Sequence, residues 1–184
     1  MLRQLPNLIC IVRMALVWPV IAALRAADYD LAVLLFAIAA VSDGLDGYLA
    51  KRFNWTSELG KVLDPAADKL LLVAVFVSAT WLGLVPRWLT ATAVARDVLS
   101  ALGAGVYRLW FGPLHGRPTF ASKINTAMQL GYLLCVMASR AFGDPWPRAL
   151  DVLAVVTLFT TLLSGADYVV TFTRRAWTLP AESS

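Results

Sequence analysis

Six membrane-spanning α-helices in one all-α domain are the architecture the sequence predicts, on three observations. Of the 184 residues, 59% are hydrophobic and 15% charged, with mean hydropathy +0.68, whereas an ordinary soluble domain is about 25% charged. Apolar stretches recur over residues 8–27, 31–50, 65–84, 89–111, 121–141 and 149–172, each near the ~20 residues a helix needs to cross a bilayer. Short polar or Pro/Gly-bearing breaks separate them. Six spans of about 20 residues consume about 120, so a single domain over residues 1–184 is expected, with no room for a second. The seven Trp and eight Phe exclude a disordered chain, and two Cys inside apolar runs exclude a disulfide scaffold.

The first stretch follows Leu5-Pro6-Asn7-Leu8 and contains Arg13. Arg3 before an apolar run and the small residues near Ala22 also fit a signal peptide, but Arg13 interrupts its core and the run is nearer a spanning length. The second stretch ends among Asp43 and Asp46, and the third opens on Asp64-Pro65 and carries Asp68 and Lys69. The fourth contains Arg96-Asp97, and the fifth starts at Ser122-Lys123. Trp18, Trp81, Trp88, Trp110, Trp146 and Trp177 fall mostly near expected helix ends, where an interfacial belt places them. His115, the single histidine, reads as a loop residue, and Cys10 and Cys135 as buried packing residues.

Basic residues set the orientation, because Lys and Arg of short loops stay on the cytoplasmic side. Alternating the spans puts Arg3, Lys51, Arg52, Lys61, Lys69, Arg108, Arg117, Lys123, Arg174 and Arg175 on one side. Only Arg25, Arg87, Arg140 and Arg148 fall opposite. Both termini are therefore expected in the cytoplasm or matrix, on a face whose positive charge attracts anionic headgroups or an anionic substrate.

Between residues 43 and 68, Asp43 and Asp46 stand at i, i+3, and Asp64 and Asp68 at i, i+4. On helices each pair shares a face. Taken singly, each Asp reads equally as a helix cap or solvated charge, Asp64-Pro65 as an N-cap and N1 pair. Four carboxylates converging at a membrane edge repel one another and need cations to hold them. Such hard oxygen ligands suit Mg2+ or Mn2+, and two ions can grip a diphosphate. Gly44, Gly47 and Gly60 leave backbone open to a nucleotide beside them.

Asp43-Gly-Leu-Asp46-Gly47-Tyr-Leu-Ala50-Lys51, then Gly60-Lys-Val-Leu-Asp64-Pro-Ala-Ala-Asp68, resembles the signature of the CDP-alcohol phosphotransferase (CDP-alcohol phosphatidyltransferase) family, D-x-x-D-G-x-x-A-R-x8-G-x-x-x-D-x-x-x-D. All fixed positions match except one, where Lys51 replaces Arg and keeps charge without the planar fork. The resemblance implies a six-helix integral membrane enzyme around a cytoplasm-facing dimetal site of Asp43, Asp46, Asp64 and Asp68, holding two Mg2+ or Mn2+ ions. It implies that Gly47, Ala50, Lys51 and Gly60 line the nucleotide pocket and that Asp68 is the general base. The acceptor hydroxyl then attacks the lipid-bearing phosphorus of CDP-diacylglycerol, and CMP leaves. A homodimer in a bacterial or mitochondrial inner membrane is implied as well, with no nucleic-acid partner.

On the acceptor side, Asn7 and Arg13 also look like the family's first helix and are candidate lipid or phosphate contacts. Arg96 and Lys123 are the candidate holders of the acceptor phosphate, since a deep Arg needs an acid or anionic ligand. Ser122 alternatively reads as the cap of the fifth helix. Ala95-Arg96-Asp97-Val98 and the segment Arg117 to Gln129 are similar to the family's mitochondrial-type cardiolipin synthases. The family's phosphatidylglycerophosphate synthases tend to carry a second basic residue where this chain has Asn125. Phosphatidylglycerol, a monoanionic diester, needs fewer basic partners than the near-dianionic glycerol 3-phosphate, so Asn125→Lys is expected to favour the latter. The expected reaction is thus phosphatidyl transfer to phosphatidylglycerol, giving cardiolipin and CMP; the alternative is phosphatidylglycerophosphate synthesis. A divalent-cation transporter is the remote alternative, but it would carry its site at the midplane between repeats, and no repeat is visible.

Overall fold

The structure, a computed structural model, describes the backbone of residues 5–53, 60–111, 119–143 and 146–178, and the side chains of 12–42, 69–103, 105, 119–143 and 146–170. Six helices follow in order: α1 (Leu5–Arg25), α2 (Tyr29–Phe53), α3 (Gly60–Trp81), α4 (Arg87–Phe111), α5 (Phe120–Ala141) and α6 (Pro147–Thr178). No strand occurs among the described residues. Each apolar stretch became one helix because, away from water, a helix lets nearly every backbone group bond within its own segment.

Two boundaries differ from expectation. α3 begins at Gly60, so Asp64 lies one turn inside the helix and is not its cap. α5 is capped by Thr119, whose Oγ1 accepts from the Ser122 N–H at 3.3 Å; this frees the Ser122 hydroxyl for another partner.

Tight turns make the helices antiparallel neighbours. Between α1 and α2, Asp28 donates its N–H to the Ala23 carbonyl while its Oδ1 accepts from Leu31 N at 3.2 Å, starting α2. Gly83 (φ +73) and Gly143 (φ +82) turn the chain after α3 and α5 in the left-handed region that glycine enters without a Cβ clash.

Packing closes the helices into a ring: α1 on α2, α2 on α5, α5 on α6, α6 on α4, α4 on α3 and α3 back on α1, with α3 also touching α5. The ring has two unlike halves. At the end where α1 finishes and α2 starts, Val20, Leu24, Phe36, Val75, Phe76, Leu89, Tyr132 and Met137 form a closed apolar plug, with Phe76 and Tyr132 stacked at 6.4 Å. Toward the other end, where α2 finishes and α3 starts, the buried side chains turn polar: Arg96, Asp97, Ser100, Asn125, Gln129, Thr161 and Ser164.

The exterior reverses a soluble protein's rule. Trp18, Leu34, Trp81, Leu99, Val152, Val155, Phe159 and Leu162 are exposed, while Arg13 is 2% and Asn125 0% exposed, the distribution expected where the surroundings are apolar. Trp81, Trp88 and Trp146 sit at the plugged end. Cys135 is exposed on α5 and not buried as expected; a thiol is apolar enough for that exterior. The Cys10, Trp110 and Trp177 side chains lie outside the described ones, and His115 and Arg117 outside the described residues.

Among the described residues, one helical stretch, Pro147–Val170, is long and apolar enough to cross a membrane, and the described parts of α2 and α3, Tyr29–Ser42 and Lys69–Trp81, are apolar throughout most of their length.

Candidate active site

All four Asp of the motif lie on helix, Asp43 and Asp46 in α2 and Asp64 and Asp68 in α3. The i, i+3 and i, i+4 spacings thus do place each pair on one helical face. Gly47, Ala50 and Lys51 follow on α2, and Gly60 is the first residue of α3; the side chains of these site residues lie outside the described ones. The donor set itself, four carboxylates on two successive helix ends, fits a hard divalent cation that takes oxygen ligands. Among the described residues, which exclude the side chains of these four Asp, no group of three His, Cys, Asp or Glu gathers. Arg13 is buried on α1, which packs on both Asp-bearing helices. Asn7 lies on the same helix, its side chain outside the described ones.

Next to Asp68, the ammonium of Lys69 crosses from α3 to α4 and donates to the Asp97 carbonyl at 3.2 Å. That contact joins the motif helix to a buried polar layer centred on Arg96. Arg96, 8% exposed, donates through Nη1 to Asp97 Oδ1 at 2.7 Å. Its Nη2 donates to Ser122 Oγ on α5 at 2.8 Å and to Ser164 Oγ on α6. An Arg so far from water is tolerated because an acid and two hydroxyls meet it. Its aliphatic stem passes close to Gly165, where an added Cβ would stand 3.7 Å from Cγ.

α6 supplies a hydroxyl seam. Thr157, Thr161, Ser164 and Tyr168 recur at spacings of four, three and four, which puts them on one face. Thr161 Oγ1 meets Asn125 Oδ1 of α5 at 2.8 Å, Ser164 meets Arg96, and Tyr168 OH donates to the Ser100 carbonyl of α4 at 2.7 Å. Gly103 makes room for the Tyr168 ring, since a Cβ there would meet it at 3.0 Å. Away from water, each such bond replaces a polar group otherwise left in an apolar medium.

Of the two expected acceptor contacts, the structure encloses Arg96 and leaves Lys123 exposed on α5, directly after Ser122. Sequence reasoning missed Lys69, Ser164 and Tyr168. Ser164 and Tyr168 carry a signal after the fact, being polar residues at helical spacing inside an apolar run.

The structure changes the meaning of Asn125. It is fully buried and held by Thr160 and Thr161, so it is a joint between α5 and α6 and not a vacancy for an acceptor cation. Asn125→Lys is now expected to bury an ammonium without an acid, at a cost of about several kcal/mol. A melting midpoint in detergent well below that of the unmodified protein is the expected measurement; an unchanged midpoint with improved use of glycerol 3-phosphate would restore the charge argument.

The CDP-alcohol phosphatidyltransferase family model matches residues 3–172. Human cardiolipin synthase (CMP-forming) is 35% identical over 181 residues, covering 89% of this chain and 60% of that protein. The cardiolipin synthase (CMP-forming) of Streptomyces coelicolor is 42% identical over 87 residues, covering 47% of this chain and 38% of that protein. A chloroplastic CDP-diacylglycerol–glycerol-3-phosphate 3-phosphatidyltransferase of Oryza sativa subsp. japonica is 31% identical over 185 residues, covering 90% of this chain and 56% of that protein. The chain thus spans about 60% or less of the length of these relatives. With the signature on α2 and α3 and a model match running through all six helices, the chain belongs to the CDP-alcohol phosphatidyltransferase family.

Proposed function

We propose that this chain is a multi-pass membrane enzyme, one domain over residues 1–184, that transfers phosphatidyl from CDP-diacylglycerol to a hydroxyl of phosphatidylglycerol, yielding cardiolipin and CMP. The observation that carries this reading is the similarity to cardiolipin synthases (CMP-forming) along 89% of the chain. The apolar exterior and the Trp residues at the plugged end support six spans, with both termini and the site facing the cytoplasm or matrix. A homodimer belongs to the same reading.

Asp43, Asp46, Asp64 and Asp68 would hold two Mg2+ or Mn2+ ions, which when bound offset the charge of the diphosphate. Gly47, Ala50, Lys51 and Gly60 line the nucleotide side. Asp68 takes the proton of the acceptor hydroxyl as its oxygen bonds to the lipid-bearing phosphorus and the bond to the CMP oxygen breaks. The plug behind the site excludes water that would otherwise hydrolyse the donor.

Phosphatidylglycerophosphate synthesis is the second reading, favoured by the similarity to the rice enzyme. The similarity to cardiolipin synthases (CMP-forming) along 89% of the chain favours the monoanionic acceptor instead. The test is to incubate the purified protein with CDP-diacylglycerol, Mg2+ or Mn2+ and either acceptor, then identify the lipid products by mass. Cardiolipin from phosphatidylglycerol supports the proposal; phosphatidylglycerophosphate alone selects the second reading.

Lys123→Gln removes a charge-assisted hydrogen bond to the acceptor phosphate, of roughly 1.5 to 3 kcal/mol, and should raise the acceptor KM about 10- to 100-fold. The KM for CDP-diacylglycerol should change much less. Equal changes in both would remove Lys123 from the acceptor side.

A further inference from the structure

The bonds around Arg96 leave an imbalance of donors. A guanidinium only donates, so Ser122 Oγ and Ser164 Oγ are both acceptors toward its Nη2. Among the described residues neither hydroxyl has an acceptor of its own. Arg96 Nε, fully enclosed, has no partner either. Three N–H and O–H donors thus adjoin one another, on three helices, in a place where Arg96 is 8% and Ser164 1% exposed. Buried donors are nearly always satisfied. The ordinary remedy for hydroxyls on α-helices, donation to the carbonyl four residues back, is used by Thr161 and Ser100 but by neither of these serines.

What fits three convergent donors is a group that only accepts. The charge has the same sign: Arg96 and Lys69 outweigh Asp97 in this layer, and Asp97 gives one carboxylate oxygen to Arg96 and its carbonyl to Lys69. We infer that Ser122, Ser164 and the Nε edge of Arg96 form an oxyanion site for a phosphate group, the phosphodiester of the acceptor lipid. This deepens the phosphatidyltransferase reading and rests on it for the identity of the acceptor. Arg96 contributes charge while the two serines contribute direction, because each is fixed by the bond it accepts from Nη2. Ser122 is only partly buried and adjoins the exposed Lys123, so the acceptor's phosphate enters from that side. Ser164 forms the floor.

The test uses the full chain in detergent, with Ser164→Ala, Ser122→Ala and the hydroxyl-retaining Ser164→Thr. In turnover, each Ala variant should raise the acceptor KM about tenfold, the loss of one hydrogen bond to a charged group. The KM for CDP-diacylglycerol should stay within about twofold, and Ser164→Thr should recover part of the effect. A second readout needs no turnover: the rise in melting midpoint on adding short-chain phosphatidylglycerol, glycerol 3-phosphate or inorganic phosphate, in chelator. The rise should shrink in both Ala variants. The most effective additive identifies the source of the phosphate, lipid or free. Unchanged acceptor KM together with an unchanged rise for every additive overturns the site, whichever acceptor the enzyme uses. If the unmodified enzyme instead makes no cardiolipin but the phosphate-induced rise still depends on Ser164, the acceptor reading fails and the oxyanion site stands.

Discussion

Asp64→Asn is expected to stop CMP release while the protein still inserts and folds, and Asp43→Asn and Asp46→Asn are expected to do the same. The amide keeps the size of the side chain and removes its charge, so the helix is undisturbed and only the ligand is lost. Removing a partner that merely orients a metal ligand costs about 10- to 100-fold; loss of a ligand itself should exceed that at any practical concentration of Mg2+ or Mn2+. The helical setting sharpens this expectation. With α3 beginning at Gly60, Asp64 does not stand at the N-cap position, so its replacement is expected to carry no N-capping penalty of about 1 kcal/mol to confuse the result. The check is CMP release measured across a metal titration, alongside the melting midpoint. Near-normal turnover of Asp64→Asn at low metal would sink the two-metal assignment.

Asp68→Asn separates binding from chemistry. Loss of general-base assistance costs about 10²- to 10⁴-fold in rate, so the variant should bind CDP-diacylglycerol nearly as before and turn over very slowly. Asp68 stands one turn beyond Asp64 on α3 and directly before Lys69, whose ammonium reaches the layer around Arg96. It is therefore the motif carboxylate closest in sequence to the acceptor side. Donor binding is measured by the shift in melting midpoint with CDP-diacylglycerol, turnover by CMP release. Parallel losses in both would make Asp68 chiefly a metal ligand and leave the base to another group.

The number and type of the helices were legible in composition alone. Six apolar runs became six helices with ends close to those expected, because a long apolar segment in a water-poor setting satisfies its backbone best as helix. The Asp motif was legible for a related reason: its spacings lie within single helices, and periodicity along one helix is a local property. Local signals failed where two readings competed over a few residues. Ser122 resembled a cap, but Thr119 took that place, and Asp64-Pro65 resembled a helix start that lies five residues earlier on the chain.

What only the tertiary structure decided is which helices adjoin and which way each is turned. The ring order, with α2 on α5 and α4 on α6, puts residues far apart in the chain into contact: Arg96 bonds Ser122, 26 residues on, and Ser164, 68 residues on. Asn125, read along the chain as a missing charge, proved to be a buried link to α6 for the same reason. Periodicity says which residues share a face, but the partner of that face depends on the rotation of each helix about its axis and on packing between segments remote in sequence. Those are settled only when the polar faces find one another inside an apolar exterior, where every unmatched donor is costly.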